Sequence, residues 1–200
     1  RQVGLVGHWD VVAFDEVGGM KMTDPDAVQI MKDYMANGRF SRGVTQVLAD
    51  ASLVFIGNLN QPVESLVQNS ATDLFQPLPK EFDLALLDRM HFYLPGWEVP
   101  KNSKDILTVH YGFVTDYLAE AFRALRKLNR FDEAERVFRF GSHVEGRDAT
   151  AAKKTVSGLL KILHPGGGWT KEELREYVEL ALEGRRRVKE QLKKRGSFEF

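Results

Sequence analysis

The 200-residue chain contains no cysteine. That excludes a disulfide framework, thiolate zinc sites and a cysteine nucleophile, and it fits a reducing compartment. No stretch approaches the ~20 consecutive apolar residues of a membrane span, and residues 1–20 lack the basic start and small-residue cleavage site of a secretory signal. The expectation is a soluble, cytoplasmic protein without a membrane partner. Histidines at His8, His91, His110, His143 and His164 show neither i, i+4 pairing nor a Cys/His cluster, so they read as structural and not as zinc ligands. Trp9, Trp97 and Trp169 read as packing residues, and the aromatics form no convincing platform for single strands. Net charge is absent too, with 28 basic residues against 28 acidic. Yet residues 1–100 hold 7 basic and 13 acidic side chains, and residues 101–200 hold 21 and 15. Such opposed halves suit two subdomains, or one subunit's face meeting its neighbour's, although solvated helices alone produce something similar.

What is present is a folding sequence of 22.7 kDa, 43% apolar and 28% charged, enough for one generous domain or two small ones. Val11-Val12-Ala13-Phe14 is too short for a helix and reads as a buried, parallel-type strand ended by Asp15-Glu16. Asp24-Pro25 gives an N-cap and a first-turn proline. Ala27, Val28, Ile30, Met31, Tyr34 and Met35 then line one helical face that stops near Asn37-Gly38. Two short stretches flanking Gly43 can pair as a hairpin, Leu53 to Ile56 is a second buried strand, and Met90 to Leu94 a third candidate. After Pro100 the pattern turns helical. Ile106, Val109, Phe113, Tyr117 and Leu118 follow helical spacing onward to Leu128, as do Val156, Leu159, Leu160 and Leu163 before His164-Pro165-Gly166, and Thr170 with Glu173 forms a capping box. The expected fold is α/β: a parallel sheet with helices over 1–99, then an all-helical subdomain over 100–200.

The chemistry concentrates at strand ends. A strand delivering Asp15 and Glu16 at its C-terminal end can point one carboxylate at Mg²⁺ and let the other orient an attacking water, the Walker B pattern that nucleotide hydrolysis needs. An ordinary strand-end turn is the alternative. The second strand ends in Gly57-Asn58-Leu59-Asn60, whose amides can contact a γ-phosphate or serve only as turn residues. Leu86-Leu87-Asp88-Arg89-Met90 places an arginine before the third candidate strand, either offered to a neighbouring subunit's nucleotide or paired at the surface.

Together these segments resemble the AAA+ ATPases of the Lon-related branch. The resemblance implies that Val11 to Glu16 is Walker B, with Asp15 on Mg²⁺ and Glu16 activating water. Asn60 falls at the sensor 1 position, with Asn58 as fallback, and Arg89 lies in the arginine-finger segment. Gly184-Arg185-Arg186-Arg187-Val188 is similar to the sensor 2 motif in a register that selects Arg186, with Arg185 adjacent. The helical half then corresponds to the AAA+ lid. Longer phrases are more specific: Trp9 to Val17, Gln29 to Met35, Gly57 to Pro62 and Thr155 to Lys161 are similar to the Lon-like ATPases of BREX phage-defence systems, over nearly all 200 residues. That implies a cytoplasmic ATPase using ATP and Mg²⁺, assembled as a homo-oligomeric ring, hexamer-type, that engages DNA and other BREX components. A DNA-binding scaffold whose nucleotide site controls assembly, and the ATPase module of a Lon-type protease, are the alternatives.

No Gly-x-x-x-x-Gly-Lys-Ser/Thr occurs in the sequence, and the Gly166 to Lys171 run has the wrong spacing to replace it. The chain is therefore read as a fragment from Walker B through sensor 2 that by itself binds ATP poorly and is inactive. Ser157 and Lys161 share one helix face but read as ordinary helix residues, not as a Ser-Lys protease pair. The segment Asn37 to Ala49 resembles the pre-sensor hairpin of MCM-type helicases, where Arg39 and Arg42 could meet DNA phosphates, or could decorate a solvated turn. From Gly184 to Arg195 there are 7 basic residues against one acidic, open to DNA or simply suited to a helix C-terminus.

Overall fold

The computed structural model describes residues 4–22, 24–42, 44–68, 72–144 and 146–196. The chain divides into two compact units, one from residues 1–90 with 188–200, the other from 91–187.

In the first unit, β1 (Val11–Phe14) passes through a 3₁₀ turn at Val17–Gly19 to α1 (Pro25–Asn37), β2 (Arg39–Arg42), β3 (Thr45–Leu48), β4 (Ser52–Phe55), α2 (Val63–Gln68) and α3 (Leu84–Leu87). Local signals set α1. The Asp24 side chain accepts from the Asp26 N–H at 2.9 Å, proline stands in the first turn, and Gly38 at φ 66° closes the helix by donating to the Tyr34 carbonyl. Because α1 and the β2–β3 hairpin intervene between β1 and β4, those two strands can pair in parallel, and they do, from Val11 opposite Ser52 to Phe14 opposite Phe55. The hairpin is antiparallel, Arg39 opposite Leu48 and Arg42 opposite Thr45. Its expected turn residue, Gly43, lies outside the described residues.

Val12, Tyr34 and Ala51 are buried together, with Val6, Phe14, Phe40, Ala49 and Leu53 packed around them. The buried Tyr34 hydroxyl is satisfied by the Ala51 carbonyl at 2.6 Å. Phe14 stacks on Phe55, and Phe55 meets the edge of Phe82. Lys32 of α1 reaches Asp83, the N-cap of α3, at 2.5 Å. Burial would raise the Asp83 pKa, but the Lys32 ammonium and the Leu86 N–H outweigh it and hold the carboxyl below its ordinary value.

The second unit is helical: α4 (Thr115–Arg126), α5 (Glu133–Val137), α6 (Arg147–Leu163) and the portion of α7 (Lys171–Arg195) up to Arg187. Ala134, Ala152, Val156, Leu160, Leu174, Val178 and Ala181 form its core. The capping box forms reciprocally, Glu173 N–H to Thr170 Oγ1 at 3.1 Å and Thr170 N–H to Glu173 Oε2 at 2.7 Å.

Three local expectations change. Neither parallel strand is buried throughout: in β1 only Val12 is enclosed and Val11 remains 54% exposed, and in β4 no residue is enclosed and Val54 remains 41% exposed, with Ile56 exposed just beyond it. Met90 to Leu94 forms no strand. A strand needs a paired edge, and the Tyr93 N–H instead donates to the Gly184 carbonyl of α7 at 3.2 Å. The helix expected from Ile106 starts only at Thr115, because Ile106, Val109 and Phe113, spaced for a helical face, have no core to bury it and stand exposed.

Candidate active site at the end of the parallel strands

The pairing of β1 with β4 continues past the last strand residues. The Ile56 N–H donates to Phe14 at 2.8 Å, and the Val17 N–H donates back to Ile56 at 3.1 Å. Asp15 and Glu16 are therefore held at the same C-terminal end of the sheet as the Gly57-Asn58-Leu59-Asn60 tip. Gly57 is what permits the approach. A Cβ there would stand 2.8 Å from Pro77 Cβ and 3.0 Å from Val17 Cγ2, and Val17 is itself fully enclosed. Neither Gly57 nor Pro77 stands out in the sequence, because their role depends on a contact twenty residues apart along the chain.

Glu16 sits at φ 50°, ψ 42°, the only non-glycine residue with positive φ among the described residues. Its N–H donates to Asp15 Oδ1 at 2.9 Å. Left-handed backbone at a glutamate is disfavoured, and such strain gathers where a side chain must be aimed. Both carboxylates are exposed, and among the described residues no basic side chain pairs with either. Nor does any group of three or more His, Asp or Glu side chains stand together among the described residues. Two exposed carboxylates at one strand end could supply one or two ligands to Mg²⁺, which completes its shell with phosphate oxygens and water.

Asn58 and Asn60 are exposed on the tip beyond β4, at the same sheet end as Asp15. Arg89 follows α3, and its Nη1 donates to the Ala85 carbonyl of that helix, while its buried Nε has no partner. A buried guanidinium N–H left unsatisfied is uncommon in a side chain kept only for stability.

The arginine run at 185–187 separates sharply. Arg185 is 2% exposed, with Nε and Nη2 both 2.7 Å from Asp148 Oδ1, which makes it part of the fabric of the second unit. Arg186 is exposed and bonds Glu183 twice. Arg187 bonds Glu183 and Glu98. The hydrogen bonds from Arg186 and Arg187 pull the Glu183 carboxyl down to a pKa of about 2. Gly184, ahead of this run, has room for no side chain, since a Cβ would fall 2.1 Å from the Phe92 ring. Arg39 is exposed on β2 and lines an open groove with Asp33, Asn37, Ser41 and Gln46, and Arg42 takes its place opposite Thr45 at the hairpin's end. Ser157 is buried, and Lys161 donates to the Arg126 carbonyl.

The first unit thus brings Asp15, Glu16, Asn58 and Asn60 to one sheet end and carries Arg89, Arg39 and Arg42 elsewhere, while Arg185 and Arg186 belong to the second unit. The first unit is an α/β unit that presents two exposed carboxylates beyond a parallel strand. The particular family is settled by comparison: residues 1–200 match the family described as Lon-like protease BrxL-like, ATPase domain, and the chain belongs to it. It is 53% identical over 202 residues to the Lon-like protease BrxL of Bacillus cereus (strain H3081.97), covering 100% of this chain and 30% of that protein. It is likewise 53% identical over 201 residues to the Lon-like protease BrxL of Escherichia coli O9:H4 (strain HS), covering 100% of this chain and 29% of the relative. The chain spans about three-tenths of the length of these curated relatives.

Proposed function

We propose that this chain is the Walker B to sensor 2 portion of a Lon-like AAA+ ATPase that hydrolyses ATP with Mg²⁺ in a ring-shaped assembly acting on DNA in BREX phage defence. The observation that carries the reading is the pair of exposed carboxylates, Asp15 and Glu16, without a basic partner among the described residues and beyond a parallel strand whose neighbour runs on into Asn58 and Asn60. Residues 1–99 are then the AAA+ core and residues 100–200 the lid. Bound Mg²⁺ supplies charge neutralisation at the phosphates. Asp15 holds that ion. Glu16, aimed by its left-handed backbone, takes the proton of the attacking water. Asn60, or Asn58 in its place, donates its amide to the γ-phosphate. Arg186 is the lid arginine: its exposed guanidinium can exchange Glu183 for a phosphate, whereas Arg185 would have to leave a buried bond to Asp148. Arg89 completes the neighbouring subunit's site once its bond to Ala85 is released. These 200 residues contain no phosphate-loop motif, so the triphosphate is cradled by chain outside this stretch.

Arg39 and Arg42 on the β2–β3 hairpin are the proposed DNA contacts, through phosphates and hence without sequence preference. The relatives carry the name protease; in this chain Ser157 is buried and Lys161 donates to the Arg126 carbonyl, and neither is read as a peptide-cleaving group. The test is ATP turnover by the full-length protein, with and without duplex DNA, in wild type and Glu16→Gln. DNA-stimulated turnover lost in the variant supports the reading. Negligible turnover in both, with DNA still bound, would leave a scaffold whose nucleotide site governs assembly.

A further inference from the structure

The last two turns of α7, from Val188 onward, belong to the first unit. Val188, Gln191, Leu192 and Arg195 follow one another there at helical spacing, and the first three are buried. Val188 and Leu192 are fully enclosed, as an apolar stripe requires. Gln191 is only 5% exposed, and a polar side chain buried in such a stripe needs a partner. It has one: Gln191 Oε1 accepts the Leu74 N–H at 2.8 Å. One turn on, Arg195 Nε donates to Asp73 Oδ2 at 3.2 Å and its Nη2 to the Phe75 carbonyl at 3.0 Å. Residues 72–78 form neither helix nor strand, so their backbone groups depend on partners of this kind. Asp73 also accepts the Phe75 N–H at 2.8 Å, and the Phe75 carbonyl accepts the Leu78 N–H at 2.9 Å, which closes the turn that contains Pro77.

Pro77 bears on both arms of the candidate site. A Cβ on Gly57 would stand 2.8 Å from Pro77 Cβ, and a Cβ on Gly18 would stand 3.6 Å from the Pro77 carbonyl oxygen. Gly57 immediately precedes Asn58, and Gly18 follows Glu16 by two residues. We propose that Gln191 and Arg195 are positioning residues for the Asp15 and Glu16 carboxylates: they pin residues 73–75, the turn fixes Pro77, and Pro77 braces the chain just beyond β1 and β4. Strained backbone persists only where its surroundings over-determine it. Glu16 is left-handed and has no basic partner among the described residues, so that constraint must come from the backbone beside it. The brace supplies it. The inference rests on the reading of Asp15 and Glu16 as the hydrolytic pair, and the two α7 side chains act through residues 73–77 and not on the reacting atoms.

The test uses the full-length protein and compares Gln191→Met and Arg195→Met with Val28→Ala, which opens a cavity at a buried side chain of α1 and serves as the stability control. Hydrogen exchange of peptides spanning the Val17 and Ile56 amides, whose bonds hold the two strand ends together, is read by mass spectrometry beside steady-state ATP turnover. Expected in both Met variants is exchange at Val17 and Ile56 at least about tenfold faster than in Val28→Ala. In the same variants kcat should be lower by about 10–10²-fold with KM for ATP unchanged. Arg195→Lys keeps the pair with Asp73 and should recover part of the loss. Pro77→Gly should reproduce the fall in kcat, and adding Arg195→Met to it should lower kcat little further. Exchange and kcat that only follow the loss of stability, as in Val28→Ala, would overturn the proposal, and so would full additivity of Pro77→Gly with Arg195→Met. Faster exchange in the Met variants of a protein whose wild type shows no turnover would overturn the hydrolysis reading and still support the brace.

Discussion

Glu16→Gly should make the protein more stable and inactive together. At φ 50°, ψ 42° the glutamate occupies backbone space that disfavours any residue with a Cβ by about 1–2 kcal/mol. Glycine removes that strain but brings about 0.5–1 kcal/mol of extra unfolded-state entropy. The Glu16 carboxylate has no basic partner among the described residues, so little else is lost, and the N–H donated to Asp15 remains. The net gain is about 0.5–1 kcal/mol, or roughly 1–4 °C in Tm for a chain of this size. Glu16→Ala is the control: it removes the same carboxylate and keeps the strain. Urea denaturation of the 200-residue chain followed by circular dichroism measures the stability, and ATP turnover of the full-length protein measures the activity. Expected is a stability order with Gly above Ala, and Ala near Glu, with turnover lost in both variants. Gly no more stable than Ala would refute the strained backbone and, with it, the argument that strain aims the carboxylate.

Gly57→Ala should destabilise the chain by about 1–3 kcal/mol, because its methyl would press on the rigid Pro77 ring and the branched Val17; thermal denaturation reads this, and turnover should fall with it as the strand tip is displaced from Asp15. Arg89→Ala in the full-length protein should lower turnover about 10³-fold or more while nucleotide binding by calorimetry stays intact, and loss of both would count against its assigned role. The imidazole of His91 is held down to a pKa of about 4 by burial, with Lys154 and Arg185 adding repulsion, against 6.5 when free. The unfolded chain therefore binds the proton first, and stability should fall as pH drops from 6.5 towards 4, by roughly 3 kcal/mol at most. In His91→Phe that limb of the pH–stability curve should flatten. Glu183 adds a second limb of the same sign. Its folded pKa of about 2 lies below 4.5, so the stability it lends is present above 4.5 and is lost as pH falls towards 2, and Glu183→Gln should remove this dependence.

Short-range chemistry was legible without a structure. The cap at Asp24-Pro25, the stop at Gly38, the Thr170–Glu173 box and the β1 run ending in Asp15-Glu16 depend on residues within four positions of one another, and each element forms, although of the β1 run only Val12 is buried. The parallel partner of β1 and the hairpin at Arg39 to Leu48 were legible too, since turn residues and apolar runs mark them. Tertiary structure decided what depends on distant partners. Three consecutive arginines are chemically identical in sequence, but successive residues on a helix are turned about 100° apart. Asp148 therefore buries Arg185, while Arg186 is left in solvent on Glu183. Glycine at 57 and 184 is demanded by Pro77 and by the Phe92 ring, neither of which is a sequence neighbour. The helical spacing from Ile106 to Phe113 implied a buried face that no core in the second unit receives, and the apolar run of Met90 to Leu94 had no edge to join. Periodicity and capping fix where a helix or strand can form. Whether it forms, and which of its side chains is free to act, is fixed by the partner that tertiary packing brings to it.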